Sequence, residues 1–250
     1  MKAIKLTLCL LALGAMSAKA QQTEEQKKAE AWANFQKAIE ERVHKDWAWI
    51  KRYEGDNEKL PAPAAGEKRV VFMGNSITEG WINTDPDFFK GKAYINRGIG
   101  GQTTPQMLVR FREDVINLKP AVVVILAGIN DIAENTGPSK LDDVAGNIFS
   151  MAQLAKANNI KVILSSVLPA AAFPWKPTID PRESVIKLNA MLKDFAQKNK
   201  LGYIDYYTSM VNTDRGMKAG LASDGVHPTM AGYKIMEPLA ESEIAKVLKK

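Results

Sequence analysis

Cysteine is nearly missing from this chain of 250 residues: the single one, Cys9, lies close to the start. No thiol comes after it, so a disulfide framework and a cysteine metal site are excluded for the rest of the sequence. Histidine is almost as scarce, with only His44 and His227. A two-metal centre would therefore have to be built almost entirely from Asp and Asn. Strong charge of one sign is lacking as well. The 34 Lys and Arg exceed the 28 Asp and Glu by six, and removing Lys2, Lys5 and Lys19 of the first twenty residues leaves 31 minus 28, or +3. With no basic block, nothing points to a nucleic acid or an anionic membrane as partner. Long hydrophobic runs are absent too: residues 6–16 form an apolar stretch of eleven, short of the roughly 20 that span a bilayer. What is present is ordinary globular usage, 46% hydrophobic and 25% charged. Collagen-like, disulfide-scaffold and wholly disordered chains are excluded.

The short apolar run has a reading of its own. Lys2 and Lys5 precede it and Ala18-Lys19-Ala20 ends it, the three parts of a secretory leader cleaved to expose Gln21. Residues 1–20 are thus expected to direct the chain to the periplasm or outside the cell. From 23 to 53, Trp32, Phe35, Ile39, Val43, Trp47 and Ile50 recur every three or four positions among Lys and Glu. That spacing predicts an amphipathic helix, broken once, whose apolar stripe packs on its own domain. Gly55 and Leu60-Pro61-Ala62-Pro63-Ala64-Ala65-Gly66 then form a linker. The expected organisation is a leader over 1–20, a helical extension and linker over 21–66, and one main domain over 67–250.

Within that domain short β-rich runs alternate with longer helical ones. Strands are expected at 69–73, 93–96, 121–126, 161–167 and 203–205, with helices at 104–118, 140–158, 181–200 and 229–248. Several strand candidates are continuously apolar, as strands buried on both faces must be. The alternation predicts an α/β fold with a doubly wound parallel sheet whose ligand site lies beyond the carboxyl ends of its strands.

Residues just after those strands carry the chemistry. The first strand delivers Gly74-Asn75-Ser76-Ile77-Thr78, where Ser76 is either a helix N-cap or a nucleophile. The second delivers Asn96-Arg97-Gly98-Ile99-Gly100-Gly101-Gln102-Thr103 and the third Ala127-Gly128-Ile129-Asn130-Asp131. Both offer hydrogen-bond donors suited to an oxyanion, while Asp131 reads as a cap. Near the C-terminus, Ser223-Asp224-Gly225-Val226-His227-Pro228 sets a carboxylate three residues before an imidazole in a glycine turn. His227 is either a helix-entry residue or a base oriented by Asp224.

Four of these blocks, taken in order, resemble the SGNH hydrolases, the GDSL-type esterase and lipase superfamily. Gly74-Asn75-Ser76 looks like the first block, Gly101 like the second, Gly128-Ile129-Asn130-Asp131 like the third and Asp224-Gly225-Val226-His227 like the last. The second block is similar to that of the platelet-activating-factor acetylhydrolase-like branch. The resemblance implies a flavodoxin-like three-layer α/β/α fold with a five-stranded parallel sheet. It implies Ser76 as nucleophile, His227 as base and Asp224 as its orienting acid, with the amides of Ser76 and Gly101 and the side chain of Asn130 as the oxyanion hole. No metal and no cofactor are expected. Asn75 departs from the commonest pattern, which has Asp there.

The expected function is a secreted serine esterase acting on short, acetyl-type esters of carbohydrates or small molecules. Asn75, Trp81, Phe173 and Trp175 are the expected substrate contacts, the aromatics as a stacking platform. The alternatives are a lipid esterase or lysophospholipase of the same family, a metal-dependent phosphoesterase using Asn75, Asn130, Asp131, Asp224 and His227, and a carbohydrate-binding protein without catalysis.

Overall fold

A computed structural model describes residues 24–249, and the chain divides into two compact units, 1–47 and 48–250. The expected leader and Cys9 lie outside the described residues. In the first unit, α1 (Glu24–Lys45) ends on Arg42, His44 and Lys45, cations that complement the negative end of its dipole. Trp32, Ile39 and Val43 of its stripe are exposed.

The second unit begins at Ala48, earlier than the boundary expected at 66. Residues 48–60 are part of it because they bury side chains against the α/β body: Ala48 and Tyr53 are almost inaccessible to solvent. A 3₁₀ turn (Ile50–Tyr53) and the short α2 (Glu54–Lys59) make up this strap.

Five parallel strands form the sheet: β1 (Val70–Gly74), β2 (Tyr94–Gly98), β3 (Val122–Leu126), β4 (Lys161–Ser165) and β5 (Gly202–Ile204), in the order β2-β1-β3-β4-β5. Every residue of β1 and β3 is buried, which is why, up to the closing Gly74 of β1, these segments are continuously Val, Ile, Leu, Phe and Met. Between and after them come α3 (Ser76–Thr84), α4 (Thr104–Asp114), α5 (Ile129–Ile132), α6 (Leu141–Ala157), α7 (Arg182–Lys198), α8 (Tyr206–Met210) and α9 (Met230–Lys249). Helices α4, α6 and α7 pack side by side in one layer, while α9 packs over β3, β4 and β5 in the other. Tyr233 of α9 joins α3 to that second layer by donating to the Ile77 carbonyl at 2.8 Å.

Helix α4 stops at Asp114 rather than 118 because Val115 leaves helical geometry (φ −130°, ψ −63°) and the chain tightens into a 3₁₀ turn, Ile116–Leu118. The register positions the site. Gly74 pairs with Gly98 on one side and with Leu126 on the other. The loops after β1, β2 and β3 therefore leave the sheet at one level, side by side. Among the described residues no helix is long and apolar enough to cross a membrane.

Candidate active site

Gly74 hands the chain from β1 to α3 through Asn75, which takes the N-cap: its side-chain oxygen accepts from the Ile77 amide at 3.0 Å. Ser76, the first residue of the helix, is thereby released from capping, and its own amide has no acceptor within the helix. The Ser76 hydroxyl lies 2.9 Å from Nε2 of His227. On the other side of the ring, Nδ1 is 2.7 Å from Oδ2 of Asp224. A carboxylate at Nδ1 favours the tautomer protonated there, which leaves Nε2 to accept from the serine. Asp224 is fixed in turn, its Oδ1 accepting from the Val226 and His227 amides at 2.9 and 2.8 Å. Burial alone would raise this carboxyl, but the bonds from the His227 amide and ring and the Val226 amide hold it below the usual carboxylate range.

The loop after β2 is closely tethered. A methyl group on Gly98 would stand 2.1 Å from the Glu79 amide nitrogen, so only glycine lets β2 pass this near α3. The Gly98 amide donates to Asn96 Oδ1, the Ile99 amide to the Gly74 carbonyl, the Gly100 amide to Glu79 and the Gln102 amide to the Ile99 carbonyl. Gly101 takes φ +74°, and among the described residues its amide has no acceptor. From the loop after β3, Asn130 is buried and gives one side-chain hydrogen to the Gln102 carbonyl at 2.9 Å. A carboxamide carries two donors, so one remains. The Ser76 and Gly101 amides and the second Asn130 hydrogen are thus unclaimed donors on adjacent loops, an arrangement suited to an anionic oxygen.

Asp131 caps, but not the segment it opens. Its carboxylate accepts from the amide and hydroxyl of Thr104, 2.9 and 2.6 Å from Oδ1, at the start of α4. Burial pushes this carboxyl up from 3.8 to about 6 against the pull of those bonds. Between about pH 4 and 6 the folded state keeps a proton that the unfolded chain has released, so stability falls as pH rises through that window. Asp131→Asn is expected to flatten the dependence and to raise the unfolding free energy at pH 8 by at most about 3 kcal/mol. Denaturant titrations of both proteins from pH 4 to 8 check this; equal slopes would contradict it.

Two expected substrate contacts are core residues instead. Trp81 is 2% exposed, stacked on Phe88 at 4.6 Å and on Tyr233 at 5.3 Å. Phe173 is fully buried. Neither ring can present a face to a sugar, because both faces are filled by protein or inaccessible. Asn75 is buried as well, with its oxygen on the Ile77 amide and its nitrogen unpartnered among the described residues. Trp175 alone is where a platform needs it, 40% exposed with its ring 5.9 Å from that of His227. Asn135, missed in the sequence, joins this edge to the donor loop: it accepts from Trp175 Nε1 at 3.3 Å and donates to the Gly101 carbonyl at 3.2 Å. Its turn, Glu134-Asn135-Thr136-Gly137, carries no motif that marks it. Glu79 was missed too, although a position three after Ser76 on a helix faces the same way.

The five residues named for a phosphoesterase do not converge as metal ligands. Asp131 faces Thr104 and Asn75 faces Ile77, and among the described residues no group of three or more His, Cys, Asp or Glu is gathered.

Known proteins are similar to this chain. A family model described as the GDSL-like lipase/acylhydrolase family matches residues 72–235. The chain is 28% identical over 171 residues to the esterase TesA of Pseudomonas aeruginosa, covering 66% of this chain and 78% of that one. With an acetylxylan esterase of Geobacillus stearothermophilus it shares 26% over 154 residues, 58% of this chain and 69% of that one. Among solved structures, a GDSL-like lipase from Bacteroides thetaiotaomicron aligns with a TM-score of 0.79 and 55% identity, over 80% of this chain and 99% of the other.

Proposed function

Because the chain belongs to the GDSL-like lipase/acylhydrolase family and is an ester hydrolase, we propose that it is a secreted serine esterase removing acetyl groups from carbohydrate. The observation that carries this reading is the hydrogen-bonded series Ser76, His227, Asp224, at 2.9 and 2.7 Å, beside three unclaimed donors. Ser76 Oγ attacks the ester carbonyl as its proton passes to His227 Nε2. The oxygen that gains charge is held by the amides of Ser76 and Gly101 and the carboxamide of Asn130. Collapse breaks the bond to the alcohol oxygen, which leaves with the proton from His227. A water then gives a proton to His227 and attacks the acyl carbon; collapse breaks the bond to Ser76 Oγ, which takes that proton back from His227, and the acyl group leaves as acetic acid.

Trp175, exposed beside His227, supports a sugar ring as the alcohol. The acetylxylan esterase relative supports the same class. Location rests on residues 1–20, a leader removed after Ala20. A site that binds acetyl rather than a long acyl chain gains little from added methylenes, whereas a buried chain gains about 0.8 kcal/mol for each. Measured kcat/KM from acetyl to decanoyl esters is therefore expected to be greatest for acetyl, with acetate released from acetylated xylan or pectin. A steady rise with chain length would reassign the enzyme to lipid esters.

A further inference from the structure

We propose that the strap formed by residues 48–60 is a positioning device for the oxyanion hole, holding the loop that presents the Gly101 amide. This rests on the proposed roles of Ser76 as nucleophile and Gly101 as donor. Three attachments carry it, and they fall on alternate loop residues around Gly101. Tyr53 Oη donates to the Gly98 carbonyl. Gln102 Nε2 donates to the Ala48 carbonyl at 2.7 Å, with Gln102 and Ala48 both 3% exposed. Between them, Glu79 Oε2 accepts from the Gly100 amide at 2.7 Å, while its Oε1 is 3.5 Å from Arg52 Nη2.

The strap is itself anchored. Asn57 accepts from Arg97 Nε and Nη2 at 2.9 and 2.7 Å and donates to Asp114 at 2.9 Å. The guanidinium groups of Arg52 and Arg97 lie over the Tyr53 ring, 4.9 and 4.6 Å from its centre. Burial raises the Tyr53 phenol above its ordinary value, so the hydroxyl stays protonated and donating. A loop of three glycines has little stiffness of its own, and a donor misplaced by about an ångström loses much of its effect on the transition state. Arg52 also offsets the Glu79 carboxylate, whose charge would otherwise oppose an oxyanion forming nearby.

Tyr53→Phe and Glu79→Ala in the full chain test this. Each is expected to lower kcat roughly 10- to 100-fold, less than loss of a donor, with KM little changed. Amide exchange should quicken over residues 98–103 while β1 stays protected. Glu79→Gln, whose carboxamide oxygen still accepts from Gly100, should recover most of the loss. Wild-type kcat in both Tyr53→Phe and Glu79→Ala, with Ser76→Ala inactive, would overturn the role of the strap alone. Losses that track Tm, with faster exchange in β1 as well, would also overturn it, because the strap would then be supporting the fold generally. An active Ser76→Ala would instead overturn the site reading beneath it.

Discussion

Ser76→Ala is expected to remove nearly all turnover, with kcat falling roughly 10⁴- to 10⁶-fold. The hydroxyl is the one group that can form a covalent acyl intermediate here, and it is already 2.9 Å from the nitrogen that takes its proton. What remains is catalysis by the donor loops acting on a water-borne reaction. His227→Ala should cost about as much, because without its imidazole the serine keeps its proton. Asp224→Ala should cost less: it removes the group that orients the ring, not one that exchanges a proton with substrate. None of the three side chains belongs to the apolar core, so folding should survive. Steady-state kinetics with a chromogenic acetate, alongside far-UV circular dichroism, gives the answer. Near-normal turnover in Ser76→Ala would remove the mechanism altogether.

Asn130→Ala is expected to lower kcat roughly 10²- to 10³-fold with little change in KM, since its second hydrogen gains most when charge develops on the carbonyl oxygen. A second effect accompanies it. The first hydrogen bonds the Gln102 carbonyl at 2.9 Å in a buried setting, and leaving that oxygen unpartnered costs about 1–3 kcal/mol of stability. The two are separable. Kinetics taken well below the lowered Tm report the lost donor, whereas a purely structural Asn130 would show the lower Tm and an ordinary kcat.

The sheet was readable because its central strands are buried on both faces, which forces residues 70–73 and 122–126 into unbroken apolar runs. The residues alone left Ser76 and His227 open, and it was the resemblance of four ordered blocks to the SGNH pattern that singled out serine, histidine and aspartate; the glycine turn at Gly225 brings Asp224 onto His227. Trp81 and Phe173 were misread for a reason of geometry: an aromatic residue in a sequence declares its size but not its direction. Tyr53 was invisible because its partner, Gly98, is 45 residues away. Asn135 depends likewise on loops 34 and 40 residues distant in opposite directions. Such contacts exist only after the sheet has brought its loops together, and no local pattern announces them. The strap's own attachments are likewise long-range.

The positions of these groups along the chain set an order of synthesis. Strap, nucleophile, donor loop and Asn130 have all been translated by residue 130, and β1, β2 and β3 can already pair around them. Asp224 and His227 are made nearly a hundred residues later. Helix α9, whose Tyr233 holds α3 through the Ile77 carbonyl, follows them in the chain. As chains emerge from the ribosome N-terminus first, the growing polypeptide holds Ser76 and the loops after β2 and β3 before it holds His227. On the roles proposed for Ser76 and His227, a polypeptide that stops before residue 227 is inert toward esters.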